Sequence, residues 1–312
     1  MRAIPINESP VTDRFKAHAA LFTATLIFGG NYTIAKIPMD GGYIDPLPFI
    51  LLRVCGAGLL FWLFHALFVQ ERVERRDFGR LALCALFGVA INQMMFFSGL
   101  ELTSPINASL IMTTTPMMVL LASYALLGER ITLQKIAGIG TGATGAILLI
   151  TYGKEVTFSS EQSLGDLMIA INATSYGLYL VLVKSLMRKY NPLTVIKWVF
   201  SFGLLFVLPF GLGGLQTTPW HTFSTDIWLS VAYVVLGTSF LAYLLNVYAL
   251  KMVNASIVSI YIYLQPLLAT LIAIAFTSEK LLGIQLVSGT LIFMGVYLVS
   301  KPDKKKKDIG ES

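Results

Sequence analysis

Charge is scarce in this 312-residue chain: Asp, Glu, Lys and Arg make up 13%, against 55% hydrophobic residues. Soluble domains carry about twice that share of charge, which excludes an ordinary soluble fold. Cysteine is nearly absent: Cys55 and Cys84 are the only two. Both fall inside apolar stretches and are expected toward opposite membrane faces, so no disulfide is expected. The histidines are His18, His65 and His221, and no two stand at a metal-ligand spacing, so neither metal nor cofactor is expected. Gly-x-Ser-x-Gly, His-Glu-x-x-His and paired Asp-rich motifs are all missing, which removes the chemistries of an intramembrane enzyme. No filter-like repeated loop or charged ring argues for a channel. Acid is missing from mid-span: Asp45, Glu101, Glu129, Asp166 and Glu279 all lie near the ends of apolar segments. A proton-coupled exporter or a pump for organic cations is expected to carry a carboxylate at depth. The expectation is therefore facilitated movement, or coupling without a buried acid.

What is present is a succession of apolar stretches, each long enough to cross roughly 30 Å of hydrocarbon. Ten spans are predicted, at about 16–37, 46–69, 78–100, 105–127, 134–152, 164–186, 193–214, 227–250, 255–277 and 283–300. The fold class is an all-α polytopic membrane protein, since the alternation of outer-membrane strands is absent. With ten spans, 18 Lys and Arg residues fall on one side, and only Lys36, Lys154 and Lys280 on the other. That bias places both termini in the cytoplasm, and the bilayer of a bacterial inner membrane is the expected location. Basic residues confined to short loops and a Lys tail exclude nucleic acid as a partner. Residues 1–11 are polar and hold Pro5 and Pro10, so no cleavable signal is expected.

The spans fall into two sets of five. Ser109, Pro116, Glu129 and Arg130 return as Ser259, Pro266, Glu279 and Lys280; Gly29 and Lys36 return as Gly177 and Lys184. Asp45-Pro46-Leu47 is echoed by Asn191-Pro192-Leu193. An odd number of spans per half inverts the second copy, giving inverted repeats over residues 1–152 and 153–312. Proline loosens a helix and frees backbone polar groups, tolerated in a bilayer only against protein or a solvated cavity. Pro116 and Pro266 are therefore predicted helix breaks at the meeting of the halves.

These markers resemble a ten-helix EamA-type member of the drug/metabolite transporter superfamily. The resemblance rests on Phe28-Gly29-Gly30-Asn31-Tyr32 leading to Lys36, Pro46 with Arg53, Pro116 with Glu129, Gly177 with Lys184, and Gln265-Pro266 with Glu279. It covers residues 17–300 and implies transport of a small-molecule substrate. It also implies that the last span of each half, rich in Gly138, Gly142, Gly145, Gly289 and Gly295, packs as a scaffold or contact surface in a monomer or homodimer. Gly29-Gly30 and Gly177 are either hinges or packing positions.

Polar side chains inside spans should face protein or a water-filled path. The predicted substrate-binding set is Asn31, Tyr32, Arg53, Asn92, Gln93, Thr113, Asn172, Tyr176, Tyr179, Tyr243, Asn246, Tyr261, Tyr263 and Gln265. Asn172, Tyr176 and Tyr179 share one helix face by their spacing. An uncharged, aromatic chamber of this kind suits amino acids or related amphipathic compounds, most simply in export. Arg53 is expected either to hold a substrate carboxylate or to snorkel to the outer interface; Lys197 is expected to snorkel on the cytoplasmic side. Sugar-phosphate or nucleotide-sugar exchange is the alternative, together with multidrug transport; phosphates would want several deep cations.

Overall fold

Pro46, Pro105 and Pro192 each open a helix, where a missing amide hydrogen costs nothing because the first turn leaves its donors unpaired anyway. Two of these starts are capped: the Asn107 amide donates to Ser104 Oγ at 3.1 Å, and the Leu193 amide to Asn191 Oδ1 at 3.0 Å. The computed structural model describes residues 11–128, 132–151, 161–250, 261, 264–277 and 280–300. Among them every regular element is helical. Glu129, Arg130, Ser259 and Glu279, which mark the two copies of the repeat, lie outside the described residues, as does Tyr263.

In chain order α1 is Val11–Ile34, α2 Lys36–Asp40, α3 Pro46–Phe68, α4 Phe78–Ala85, α5 Asn92–Leu102, α6 Pro105–Met112 and α7 Thr115–Leu127. They are followed by α8 Leu133–Thr151, α9 Glu161–Lys189, α10 Pro192–Thr217, α11 Thr225–Ala232, α12 Ala242–Leu250, α13 Gln265–Thr277 and α14 Gly283–Ser300. The α9 and α10 helices run past the expected 164–186 and 193–214. Their polar ends, Glu161-Gln162 and Arg188-Lys189 in α9, continue the helix beyond its apolar stretch, which hydropathy alone does not register. Conversely α1 stops at Ile34, and Lys36 opens the short α2 rather than ending the first span.

Two kinds of irregularity interrupt the spans. The break near Pro116 falls at Thr113-Thr114, one turn ahead of the ring, and Pro116 sits in the first turn of α7. Pro266 likewise stands in the first turn of α13. The second irregularity has no proline: π-helical turns occupy Leu86–Ile91, joining α4 to α5, and Tyr233–Leu241, joining α11 to α12.

Helices α3 and α10, α5 and α9, and α8 and α14 pair antiparallel, whereas α6 and α7 run parallel to α9. Phe61 of α3 meets Phe200 of α10 with ring centroids 5.0 Å apart, and an added Cβ on Gly214 would lie 2.8 Å from Pro48. In α5 and α9, Gly99 and Gly165 face each other so closely that a Cβ on either would lie 2.8 Å from the other's carbonyl oxygen. Helices α8 and α14 cross at Gly142 and Gly295, so the small residues of the two segments do meet, as small residues do where membrane helices approach. Residues 34–46, 103–104 and 218–224 gather at one end of the bundle, termed the Lys36 end; residues 69–77 and 190–191 gather at the Asp77 end.

At the Asp77 end, Lys189 Nζ lies 2.6 Å from Asp77 and 2.7 Å from Glu74, and the Tyr190 hydroxyl donates to Asp77 at 2.7 Å. The hydrogen bond from Lys189 holds the Glu74 carboxyl below its ordinary range, and Arg76 adds to this.

Large apolar side chains point outward, among them Leu59 at 72% exposure and Phe276 at 78%. Among the described residues six helical stretches are long and apolar enough to span a bilayer: Pro46–Phe68, Arg75–Leu102, Pro105–Leu126, Glu161–Lys189, Pro192–Thr217 and Thr225–Asn246. Shorter apolar helices cover Gln265–Phe276 and Gly283–Leu298. The chain is a multi-pass membrane protein, because water offers no home for so much outward apolar surface. Cys55 and Cys84 are both free.

The α8–α14 crossing yields a direct test. A Cβ at Gly295 would lie 2.5 Å from the Gly138 oxygen and from the Gly142 nitrogen, whereas one at Gly140 meets nothing within 4 Å. Gly295→Leu should cost about 1–3 kcal/mol, and Gly140→Ala should be neutral or stabilising by up to about 1 kcal/mol. Thermal unfolding in detergent reads both; similar midpoints for the two variants would contradict the close approach.

Candidate functional site

A π-helical turn spends one extra residue per turn and rotates the side chains beyond it. Both π turns border one cluster. Thr238 and Ser239 in the second turn are fully buried, and Thr238 donates to Asn31 of α1 at 3.1 Å. Ser239 accepts a hydrogen bond from Arg53 Nε of α3, while Arg53 Nη1 donates to Gln93 Oε1, two residues past the first π turn. The guanidinium also lies 5.1 Å from the centre of the Phe97 ring, and it is 4% exposed as a residue. Arg53 therefore neither snorkels nor pairs with a helix-end acid: among the described residues its partners are neutral. Its depth in sequence resembled an interfacial position because α3 begins at Pro46, but α5, α10 and the second π turn wrap it.

Aromatic rings close the space around that charge. Tyr243 lies within electrostatic reach of Arg53, and of Tyr176 and Tyr179; its ring packs edge-on against Phe28 and Phe200 at 6.1 and 6.0 Å. Tyr176 and Tyr179 of α9 are stacked with centroids 5.9 Å apart. Tyr32 meets Phe96 edge-on at 5.6 Å. Gly88 of the first π turn makes room for Tyr179, since a Cβ there would lie 2.5 Å from Tyr179 Cδ2.

Asn92 and Asn172 bridge α5 and α9: Asn172 Nδ2 donates to the Asn92 carbonyl at 2.6 Å, and Asn92 Nδ2 to the Asn172 carbonyl at 3.5 Å. Ser175 donates to the Phe87 carbonyl at 2.6 Å, satisfying backbone freed by the π turn. Asn172 Oδ1 is buried and has no hydrogen-bond partner among the described residues, which leaves an acceptor open in a place where open acceptors are costly.

Other predicted residues stand apart. The hydroxyls of Thr113, Thr114 and Thr115 donate to the carbonyls of Leu110, Ile111 and Met112 at 2.6–2.8 Å, so the Thr113 donor is spent on the helix break. Tyr261 pairs with His18 at 2.8 Å, in a small cluster with Ala17, Ala20, Leu21 and Ala249 rather than with Arg53. Asn246 and Gln265 are half-buried. The α6 helix packs against α13, joining the piece before one break to the piece after the other. Gly29 and Gly30 are tight packing positions, a Cβ there lying 2.9 Å from Leu268 Cβ and 2.5 Å from the Tyr233 hydroxyl; Gly177 packs as closely on Met118.

Sequence position misjudged two charged groups. Asp166 is near the start of α9 yet wholly buried, hydrogen-bonded by the Thr103 hydroxyl and by Asn107 Nδ2 at 3.4 Å, because α5 and α6 cover it. Lys197 does not snorkel: it is 5% exposed, 3.2 Å from His65 Nδ1 and 4.3 Å from the centre of the Trp62 ring.

Residues 15–151 and, again, 163–301 match the EamA-like transporter family. The chain belongs to that family. It is 27% identical to an uncharacterized transporter of Archaeoglobus fulgidus, over 91% of this chain and 97% of the relative. It is 24% identical to a probable terminal-alkyne amino-acid exporter of Streptantibioticus cattleyicolor, over 92% and 94%. A solved crystal structure with 21% identity covers 95% of this chain and 98% of its own, with a TM-score of 0.61, and so shares its fold. Like its family the protein is a membrane transporter, whose partners are a small-molecule substrate and the lipid bilayer.

In this EamA-family chain the π turns, Thr238 and Ser239 escaped sequence reasoning. The available signal was Gly88, five residues before Gln93, and Gly237, six residues before Tyr243. If Ser239 serves to satisfy Arg53, Ser239→Ala should cost about 1–3 kcal/mol in the wild type and little in an Arg53→Met background. Chemical unfolding of the four proteins in the cycle measures the coupling; additive costs would show that the two side chains act independently.

Proposed function

We propose that the protein carries amino acids or closely related amphipathic compounds out of the cell, with the substrate carboxylate received by Arg53. The observation that carries this reading is a guanidinium buried at 4% exposure, held by the neutral acceptors Ser239 and Gln93 without a carboxylate among the described residues. A guanidinium has five donors in a fixed fork, more than those two acceptors use, and an uncompensated buried charge is costly unless a ligand supplies its partner. Tyr176, Tyr179, Tyr243 and Tyr32 offer an aromatic wall to the apolar part of such a substrate. The open acceptor of Asn172 is suited to an ammonium group. The amino-acid exporter among the relatives supports the same substrate class.

The reading includes ten spans in two inverted repeats, residues 1–152 and 153–312, with both termini in the cytoplasm of a bacterial cell. The Asp77 end, with Arg72, Arg75, Arg76, Arg80, Arg188 and Lys189, is then the cytoplasmic end. The other buried cation, Lys197, faces His65 and Trp62 rather than the tyrosines, which argues against sugar phosphates, since these call for several cations at one site.

In proteoliposomes, Arg53→Gln should lower amino-acid transport by about 10- to 100-fold, the worth of a charge-assisted bond. Arg53→Lys should fall between, since it keeps the charge but not the fork. Undiminished transport by Arg53→Gln would remove the proposed role. Tags fused to the two termini should both be protected from protease added to intact cells, and digestion of one alone would defeat the even span count.

A further inference from the structure

At the Lys36 end a hollow of about 390 Å³ opens between the end of α1, the short α2, the junction of α5 with α6, and the start of α9. That volume falls within the range of about 300–1,000 Å³ typical of small-molecule sites. Thr33, Lys36, Asp40, Thr103, Ser104 and Gln162 line it. Lys36 Nζ donates to the Thr103 carbonyl at 2.5 Å and stands 4.0 Å from the Asp40 carboxylate. That distance is the outer limit of an ion pair, so each charge keeps much of its capacity for another partner. Asp40 is half exposed, at 56% of its side chain, and Lys36 less so, at 18%. Thr33 is 1% exposed, and its hydroxyl has no hydrogen-bond partner among the described residues.

The floor of the hollow is rigid. Thr103 and Asn107 are tied to buried Asp166, and Gln285 of α14 donates to Asn107 Oδ1 at 2.9 Å. Four helices therefore hold the two residues on which Lys36 and Ser104 depend. Glu101, beside the hollow, lies within electrostatic reach of Asp45, Asp40 and Lys36, so acid outweighs base around this mouth.

We propose that this hollow is a second amino-acid site on the transport path, separate from the Arg53 chamber. The substrate's carboxylate takes Lys36 Nζ and the Thr33 hydroxyl, and its ammonium takes Asp40. The surplus of acid makes the mouth selective for molecules that bring an ammonium group, since a free carboxylic acid meets repulsion there. The proposal rests on the amino-acid reading above but names a different place in the molecule.

Equilibrium binding of radiolabelled L-leucine and L-phenylalanine to the purified full chain separates the two. Wild type is expected to bind with two components. Asp40→Asn and Lys36→Gln should weaken one of them about tenfold, and Thr33→Val should weaken the same one severalfold. Arg53→Gln should remove the other, whose persistence in the mouth variants certifies that they are folded. The des-amino analogue of leucine should compete at the chamber and not at the mouth. A single component lost in Arg53→Gln and untouched in Asp40→Asn, Lys36→Gln and Thr33→Val would overturn the mouth site and leave the proposed function standing. No binding of either amino acid by the wild type would overturn both.

Discussion

In hydrocarbon a backbone amide or carbonyl that loses its helical partner finds no water to replace it, and this chain answers that constraint at its first helix break and at both π turns. At the first break, three consecutive threonines turn their hydroxyls back on Leu110, Ile111 and Met112. At the first π turn, Ser175 reaches across from α9 to the Phe87 carbonyl; at the second, Ser239 caps the carbonyl of Val234, five residues back, at 2.7 Å. Ser239 then has its lone pairs free to accept Arg53. The irregular backbone and the buried cation are thus satisfied by the same hydroxyl, which explains why they occur together.

The position of Arg53 follows from that arrangement. On a uniform α-helix running from Thr225 to Leu250, the residues after Gly237 would face another direction, and no hydroxyl would meet the guanidinium. Phe97 supplies a ring face at 5.1 Å, an interaction worth more away from water than in it. The neutral shell holds the guanidinium in one orientation without cancelling its charge. A carboxylate partner in the protein would have made the same residue a structural ion pair, closed to an anionic group from elsewhere.

Much of this architecture was legible in the sequence because lipid enforces long apolar runs and because proline has few permitted places. Pro46, Pro105 and Pro192 mark helix starts, and the doubled Ser, Pro and Gly markers anticipated two matches to one family. The grouping of Tyr176 with Tyr179 followed from helical spacing, whereas the pairing of Asn92 with Asn172 joins two helices and is visible only in the structure. The π turns did not, since they need no proline and leave hydropathy unchanged; only their glycines hint at them. Burial of Asp166 and Lys197 was equally hidden. Distance from a span end measures depth along one helix, whereas burial depends on which neighbours cover that end.

The glycines bear on how such a bundle can move. Gly29, Gly30, Gly88 and Gly177 have neighbours so close that a Cβ would lie within 3.0 Å of another atom, so they fix helix contacts rather than free the backbone around them. Bending then falls to segments whose hydrogen bonds are already exchanged for side-chain ones: Thr113-Thr114 and the two π turns. The two π turns border the Arg53 cluster, and each of the three segments is served by a hydroxyl that can follow its carbonyl. A change at Arg53 is therefore coupled mechanically to the breaks, through Gln93 just beyond the first π turn and Ser239 within the second. Tight glycine crossings such as α8 with α14 keep the rest of the bundle rigid while the breaks adjust.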